Sequence, residues 1–191
     1  MQSQKTRLIV FTGLFTALSV MLYFFEFPIV PGLSYLKVDF SDLPAVLAAV
    51  MFGPAAGIAA ELIKNLFHLM VRGFGDTMGF GDLMNFLVGC AFLVPFSMTL
   101  RALLKRAKGY AFSAIAAGLA GMAGMTLMGV VGNYLIAPPF FRFMLHIQLS
   151  NTALWAAIGG ATVLNILKSV ILVLLLIPTA SLCLRFVNHK H

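Results

Sequence analysis

The sequence predicts an all-α membrane protein: six transmembrane helices in a single compact bundle, both termini cytoplasmic, with residues 1–191 forming one domain. Three observations predict it. Of the 191 residues, 61% are hydrophobic and only 10% charged, against about 25% charge in an ordinary soluble domain. The apolar residues gather in six segments divided by short polar or Gly/Pro breaks. Lys and Arg fall unevenly between alternate breaks, as the positive-inside rule requires of a chain that crosses a membrane repeatedly. No polar stretch exceeds about 15–20 residues, too short for a soluble core of its own.

The first segment, 8–25, follows Lys5 and Arg7 and so resembles a signal peptide. Its 18 apolar residues lack a small-residue cleavage site and more spans follow, so it is read as a retained span. A loop of about 17 residues comes next, with Pro28, Pro31 and Gly32. A loop that long suits a lid over a cavity. Ser41 or Asp42 is expected to cap the second segment, and Pro44 suits its first turn. The second segment (43–53) and the third (55–71) are divided by the breaker FGPAAG. Both fall short of the roughly 20 residues a bilayer needs. They read as a helical hairpin packed on longer neighbours, or as a span with a polar-lined end. The fourth (82–103), fifth (111–136) and sixth (153–184) are long. Pro95 and Pro178 are expected to kink the helices that hold them.

With both termini inside, eight basic residues lie inside: Lys5, Arg7, Arg101, Lys105, Arg106, Lys108, Arg185 and Lys190. Lys37, Arg72 and Arg142 lie outside, and Lys64 and Lys168 fall within spans. Five of the six acidic residues sit in or beside the outer loops: Glu26, Asp39, Asp42, Asp76 and Asp82. The net charge of +7 is therefore topological, and no nucleic-acid partner is expected. Cys90 and Cys183 lie in apolar runs and read as small buried hydrophobes, without metal or disulfide spacing. There is no G-x-x-x-x-G-K-[ST] motif. Of His68, His146, His189 and His191 only the last two are close, at the tail. No catalytic residue and no metal site is expected. A small membrane enzyme would need a reactive acid, base or metal set. A secondary transporter would show repeated halves or paired broken helices.

The informative residues are polar groups within spans. A Lys at bilayer depth costs about 2.5–3.5 kcal/mol and normally faces a cavity or a partner. In NILKSV, Asn165 and Lys168 share one helical face. Lys168 reads either as the partner of an internal carboxylate or as a ligand contact. Asn165 offers a donor and an acceptor side by side, and Asn133 can face the same space. In ELIKNLFH, Glu61 and Lys64 read as an internal ion pair, with His68 on the same face. Gly118, Gly121, Gly129 and Gly132 line one face of the fifth helix, with Met125 between them. They read as close helix packing or as room for a flat ligand. Gly13 and Ala17, flanked by Thr12 and Thr16, form a small-xxx-small pair, either internal packing or a docking face for another membrane subunit.

At SYLKVDFSDLPAVLAAVMFGPAAGIAAELIKNLFH the sequence resembles the riboflavin-specific substrate-binding subunit of energy-coupling factor (ECF) transporters. The resemblance extends to GNYLIAPPFF and NILK and covers the whole chain. It implies capture of riboflavin from outside a bacterial plasma membrane, without catalysis and without a cofactor, riboflavin being the cargo. It implies partners: a transmembrane coupling subunit that carries two ATPases, with membrane lipid around them. The family's usual docking motif is Ala-x-x-x-Ala on the first helix; here Gly13 and Ala17 hold those positions. Carried over, the flavin site implies Asn133, Asn165 and Lys168, with Tyr35, Leu36, Lys37 and Asp39 of the first outer loop closing over it. Asn amides and a Lys ammonium match the ring's imide-like edge, and polar loop groups suit the ribityl hydroxyls. A related subunit for a different vitamin is the alternative within the family.

Overall fold

The computed structural model describes residues 4–28, 37–75, 77–106 and 108–188. Seven α-helices run in chain order: α1 (Gln4–Tyr23), α2 (Asp42–Phe52), α3 (Pro54–Arg72), α4 (Phe80–Lys105), α5 (Tyr110–Val131), α6 (Ala137–Met144) and α7 (Asn151–Asn188). Between α1 and α2, the two-residue strands β1 (Phe27–Pro28) and β2 (Lys37–Val38) pair antiparallel, Phe27 opposite Val38. This end of the bundle, where α1 and α3 finish and α4 and α7 begin, is called the strand end below.

The fifth predicted segment is longer than its apolar run. A π turn, Gly132–Ile136, joins α5 to α6, so one helical unit runs from Tyr110 to Met144. The Ala137 amide reaches back to the Gly132 carbonyl, five residues away, rather than four. The widened turn falls directly before Pro138 and Pro139, which have no N–H to continue an α ladder.

Four helical stretches are long and apolar enough to cross a membrane: Lys5–Tyr23, Phe80–Lys105, Tyr110–Met144 and Asn151–Cys183. The helix α3 is amphipathic in the inverse sense. Glu61, Lys64, Asn65 and His68 are buried, while Leu62, Ile63, Leu66, Phe67 and Met70 are exposed, Met70 at 83%. A soluble helix turns its polar face to water; this one turns it to the protein interior, as lipid surroundings demand.

Away from the strand end, α2, α4, α5 and α7 meet in an apolar core of Val46, Val50, Phe92, Phe96, Met125 and Leu172. Pro95 and Pro178 both lie within continuous helices. Pro95 cannot donate to the carbonyl of Ala91, and α5 approaches that freed oxygen directly. A Cβ at Gly124 would lie 2.1 Å from the Ala91 oxygen. Glycine thus lets a backbone C–H meet an orphaned carbonyl. Other small residues also pack: Gly118 and Gly121 of α5 face Val173 and Phe92, and Gly132 of the π turn faces Met84. A short helix is closed off from the side, where Arg101 Nε and Nη2 donate to the Val50 carbonyl at the C-terminus of α2 (3.1 and 2.9 Å).

Candidate functional site

A cavity of about 320 Å³ opens at the strand end, within the range of small-molecule sites. It draws residues from α1, β2, α3, the α3–α4 loop, α4, α5, the π turn and α7. Asp39, Asn133, Asn165 and Lys168 all line it. The α spacing of Asn165 and Lys168 puts both on the wall that α7 contributes, and the π turn brings Asn133 opposite. The expected set is therefore assembled in one space. Tyr35 and Leu36 lie outside the described residues. Lys37 is placed by its backbone in β2, paired with Pro28.

Both asparagines are fixed against α5. Asn133 Nδ2 donates to the Gly129 carbonyl (2.8 Å), and Asn165 Nδ2 donates to that of Met125 (3.3 Å). Gly129 makes room for this: a Cβ there would lie 2.1 Å from Asn165 Nδ2. Of the two readings of the α5 glycines, packing describes Gly118, Gly121 and Gly132, whereas Gly129 both packs and lines the cavity.

Part of the cavity wall is a buried charge cluster. Lys168 Nζ stands 3.1 Å from Asp39 Oδ2 and 2.8 Å from Asp42 Oδ2. Lys64 Nζ stands 2.5 Å from Asp42 Oδ1 and 2.7 Å from Glu61 Oε2. The Glu61–Lys64 ion pair is as expected. The capping role expected of Asp42 is corrected: its carboxylate bridges two lysines from α3 and α7. Ser41 occupies the N-cap position without a side-chain cap bond. Its amide and hydroxyl instead donate to Asp39 Oδ1. Asp39 Oδ2 also accepts from Asn85 Nδ2 (3.2 Å), so the residue following β2 is tied to α4 and α7 together. Lys168 thus has the internal carboxylate partners of one sequence reading and the cavity position of the other.

One helical turn nearer the strand end is a second cluster. His68 Nδ1 lies 2.6 Å from Asp82 Oδ1, and His68 Nε2 lies 3.6 Å from Glu26 Oε1. The Tyr23 hydroxyl donates to Asp82 Oδ1 (3.2 Å). The Tyr23 ring stacks on the imidazole, centroids 4.1 Å apart, while Lys64 Nζ sits 5.4 Å from the same ring. Sequence reasoning did not single out Tyr23 or Asn85. The spacing signals were present: Asn85 is three residues from Asp82, and His68 is four from Lys64, each one turn along its helix.

On α1, Thr16, Ser19 and Tyr23 are buried, whereas Gly13 and Ala17 are exposed, and nothing lies within 4 Å of a Cβ built at Gly13. The small pair is therefore not internal packing in the isolated chain.

An inside-out helical bundle with a polar cavity at one end and an uncovered small-residue face on its first helix defines a class: a membrane-embedded small-molecule-binding subunit. Residues 7–180 match the substrate-specific component of ECF transporters, and the chain belongs to that family. It is similar to the riboflavin transporter FmnP of Bacillus subtilis, 34% identical over 88% of this chain and 87% of the relative. It is also similar to the riboflavin transporter RibU of Staphylococcus aureus, 29% identical over 88% and 86%. Among solved structures it resembles the S component of a bacterial ECF transporter. The TM-score is 0.65 at 26% identity, over 94% of this chain and 98% of that one. These are transport components, not enzymes.

Proposed function

We propose that the chain captures riboflavin at the external face of the cell membrane and releases it inward with the help of an energy-coupling module. The observation that carries this is the convergence of Asn133, Asn165 and Lys168 on one cavity, in a family member whose relatives are named riboflavin transporters. The asparagines and Lys168 hold the polar edge of the flavin ring. Asp39, with Lys37, Leu36 and Tyr35 before it, closes the loop over the bound ring. Gly13 and Ala17 dock on a transmembrane coupling subunit that carries two ATPases. Residues 1–191 act as one domain with six crossings, α2 and α3 counting as one each and both termini cytoplasmic, in a bacterial plasma membrane.

Purified protein is expected to quench riboflavin fluorescence on titration. Asn165→Leu leaves the ring edge unpaired in a dry pocket, a penalty of roughly 1–3 kcal/mol, or about 5- to 150-fold in affinity. Wild-type affinity in that variant removes Asn165 from the site, and no quenching by the unaltered protein removes riboflavin itself. Single cysteines placed between Arg101 and Lys108 are expected to label only from the inside; labelling of intact cells from outside overturns the topology.

A further inference from the structure

The end of the bundle opposite the strands carries cations that no described carboxylate balances. The acidic residues of the sequence are Glu26, Asp39, Asp42, Glu61, Asp76 and Asp82. Asp76 lies outside the described residues, and the other five stand at the strand end, paired with Lys64, His68 and Lys168. At the far end two arginines flank the turn between α2 and α3. Arg7 of α1 sits 5.8 Å from the Phe11 ring centroid, and Phe11 packs on Phe52, the last residue of α2, with centroids 6.1 Å apart. Arg101 of α4 reaches the next residue, Gly53: its Nη1 lies 3.6 Å from the place of a Cβ there. Neither guanidinium is exhausted by the fold. Arg101 spends Nε and Nη2 on the Val50 carbonyl, which leaves Nη1 to donate elsewhere. Arg7 Nη2 is buried, and no acceptor among the described residues reaches it.

We propose that Arg7 and Arg101 hold the phosphodiester of an anionic phospholipid whose acyl chains lie along α1 and α4. This rests on the membrane reading of the chain and not on riboflavin. A guanidinium presents its donors in a planar fork that matches two phosphate oxygens. Here two such groups, both half-buried, stand where apolar surface begins. Val10 and Leu14 follow Arg7 by three and seven residues, so they share its face of α1, and they are 59% and 63% exposed. Met98, three residues before Arg101 on α4, is 58% exposed. The surface is therefore cationic at its head and lipid-facing along its length, the pattern of an amphiphile in reverse charge. A zwitterionic headgroup brings its own ammonium against these cations, whereas an anionic one brings only the charge they lack. With both termini cytoplasmic this end meets the inner leaflet, whose anionic lipids attract basic segments. Gly13 and Ala17 lie roughly 80–120° round α1 from Arg7, so the lipid and a docked subunit occupy different faces.

The test is native mass spectrometry of the full chain, titrated in detergent with dioctanoyl phosphatidylglycerol or dioctanoyl phosphatidylcholine. Unaltered protein is expected to retain one phosphatidylglycerol with an affinity at least about tenfold above that for phosphatidylcholine. Equal retention of the two lipids overturns the proposal without any variant. Arg7→Gln, which breaks no hydrogen bond within the described chain, is expected to bring the two lipids within about threefold. The double change Lys105→Gln and Arg106→Gln removes more charge from the same end, but from exposed side chains. It is expected to alter the preference less than about twofold. A melting curve in detergent checks that each variant is folded. A loss from the double variant as large as that from Arg7→Gln reduces the preference to a diffuse positive field and sinks the site. Saturation by sn-glycerol 3-phosphate at the same concentrations makes it an anion site without a lipid. If Arg7→Gln keeps the lipid preference but loses the coupling subunit on co-purification, the guanidinium answers a protein carboxylate and the lipid assignment is wrong.

Discussion

The two ends of this bundle are built on opposite principles. At the strand end, Glu26, Asp39, Asp42, Glu61 and Asp82 are gathered with Lys64, His68 and Lys168 in buried pairs. Towards the other end, α2, α4, α5 and α7 meet through alanines, glycines and phenylalanines, and Lys105, Arg106 and Lys108 lie exposed at the surface. Close apolar packing supplies the rigidity, since helices in lipid associate through van der Waals contact rather than exclusion from water. Buried charge at the strand end persists because Lys64 and Lys168 each have two carboxylates. Perturbing each end should therefore fail in a different way.

The largest effect is expected at Lys168. A hydrocarbon side chain suits a membrane in general, but at this position the ion pairs decide. Lys168→Met strips Asp39 of its ammonium and leaves Asp42 only Lys64. Breaking one partner out of a buried pair costs about 3–5 kcal/mol. The variant should melt well below the unaltered protein in detergent, besides losing flavin affinity. Adding Asp39→Asn should recover part of the loss, because the second change removes the charge the first one orphaned. An unchanged melting midpoint for Lys168→Met shows that the cluster is not a network.

At the opposite end the sharpest test is steric. Gly124→Ala places a methyl where the Ala91 carbonyl already stands. Overpacking of this kind costs about 1–3 kcal/mol. Because Pro95 is what leaves that carbonyl without its helical donor, Pro95→Ala should relieve part of the penalty by returning the oxygen to its own helix. Riboflavin affinity of the folded fraction should not change, since neither residue lines the cavity. Additive losses in the double variant separate the proline from the glycine and break this account of the α4–α5 contact.

The difference between the ends also explains what was legible in the sequence. Apolar runs are local, so the six segments were readable to within a few residues; the exception was the fifth, where a π turn carries the helix past Pro138 and Pro139. The Glu61–Lys64 pair was readable because its members are three residues apart. The convergence of Asn133, Asn165 and Lys168 was reached through the resemblance to a known family, with the helical spacing in agreement. The partners of Asp39 and Asp42 were not readable. Asp39 meets Lys168 across 129 residues of chain, and a short polar residue before a helix looks locally like a cap. Long-range charge pairing leaves no periodicity, so Tyr23 and Asn85 passed unnoticed although both stand in the cavity wall. Likewise, nothing in the sequence connects Pro95 to Gly124, because the link is a carbonyl that one frees and the other accommodates.

The smallest effect on the fold is expected on the exposed face of α1. Gly13 is exposed, with nothing within 4 Å of a Cβ built there. Replacing it by Leu creates no internal clash and recovers about 0.5–1 kcal/mol of helix propensity. The isolated chain should therefore melt at the same temperature or slightly higher, and its riboflavin titration should be superimposable on that of the unaltered protein. Transport is different. A docked helix needs its small residues to bring backbones close, and a four-carbon side chain at Gly13 holds the partner helix away. Uptake of riboflavin by cells and co-purification of the coupling subunit should fall together, and Ala17→Leu, one turn along on the same face, should reproduce both. Loss of flavin binding with intact assembly places Gly13 in the interior after all. Full uptake with Leu at both positions moves the docking surface off α1.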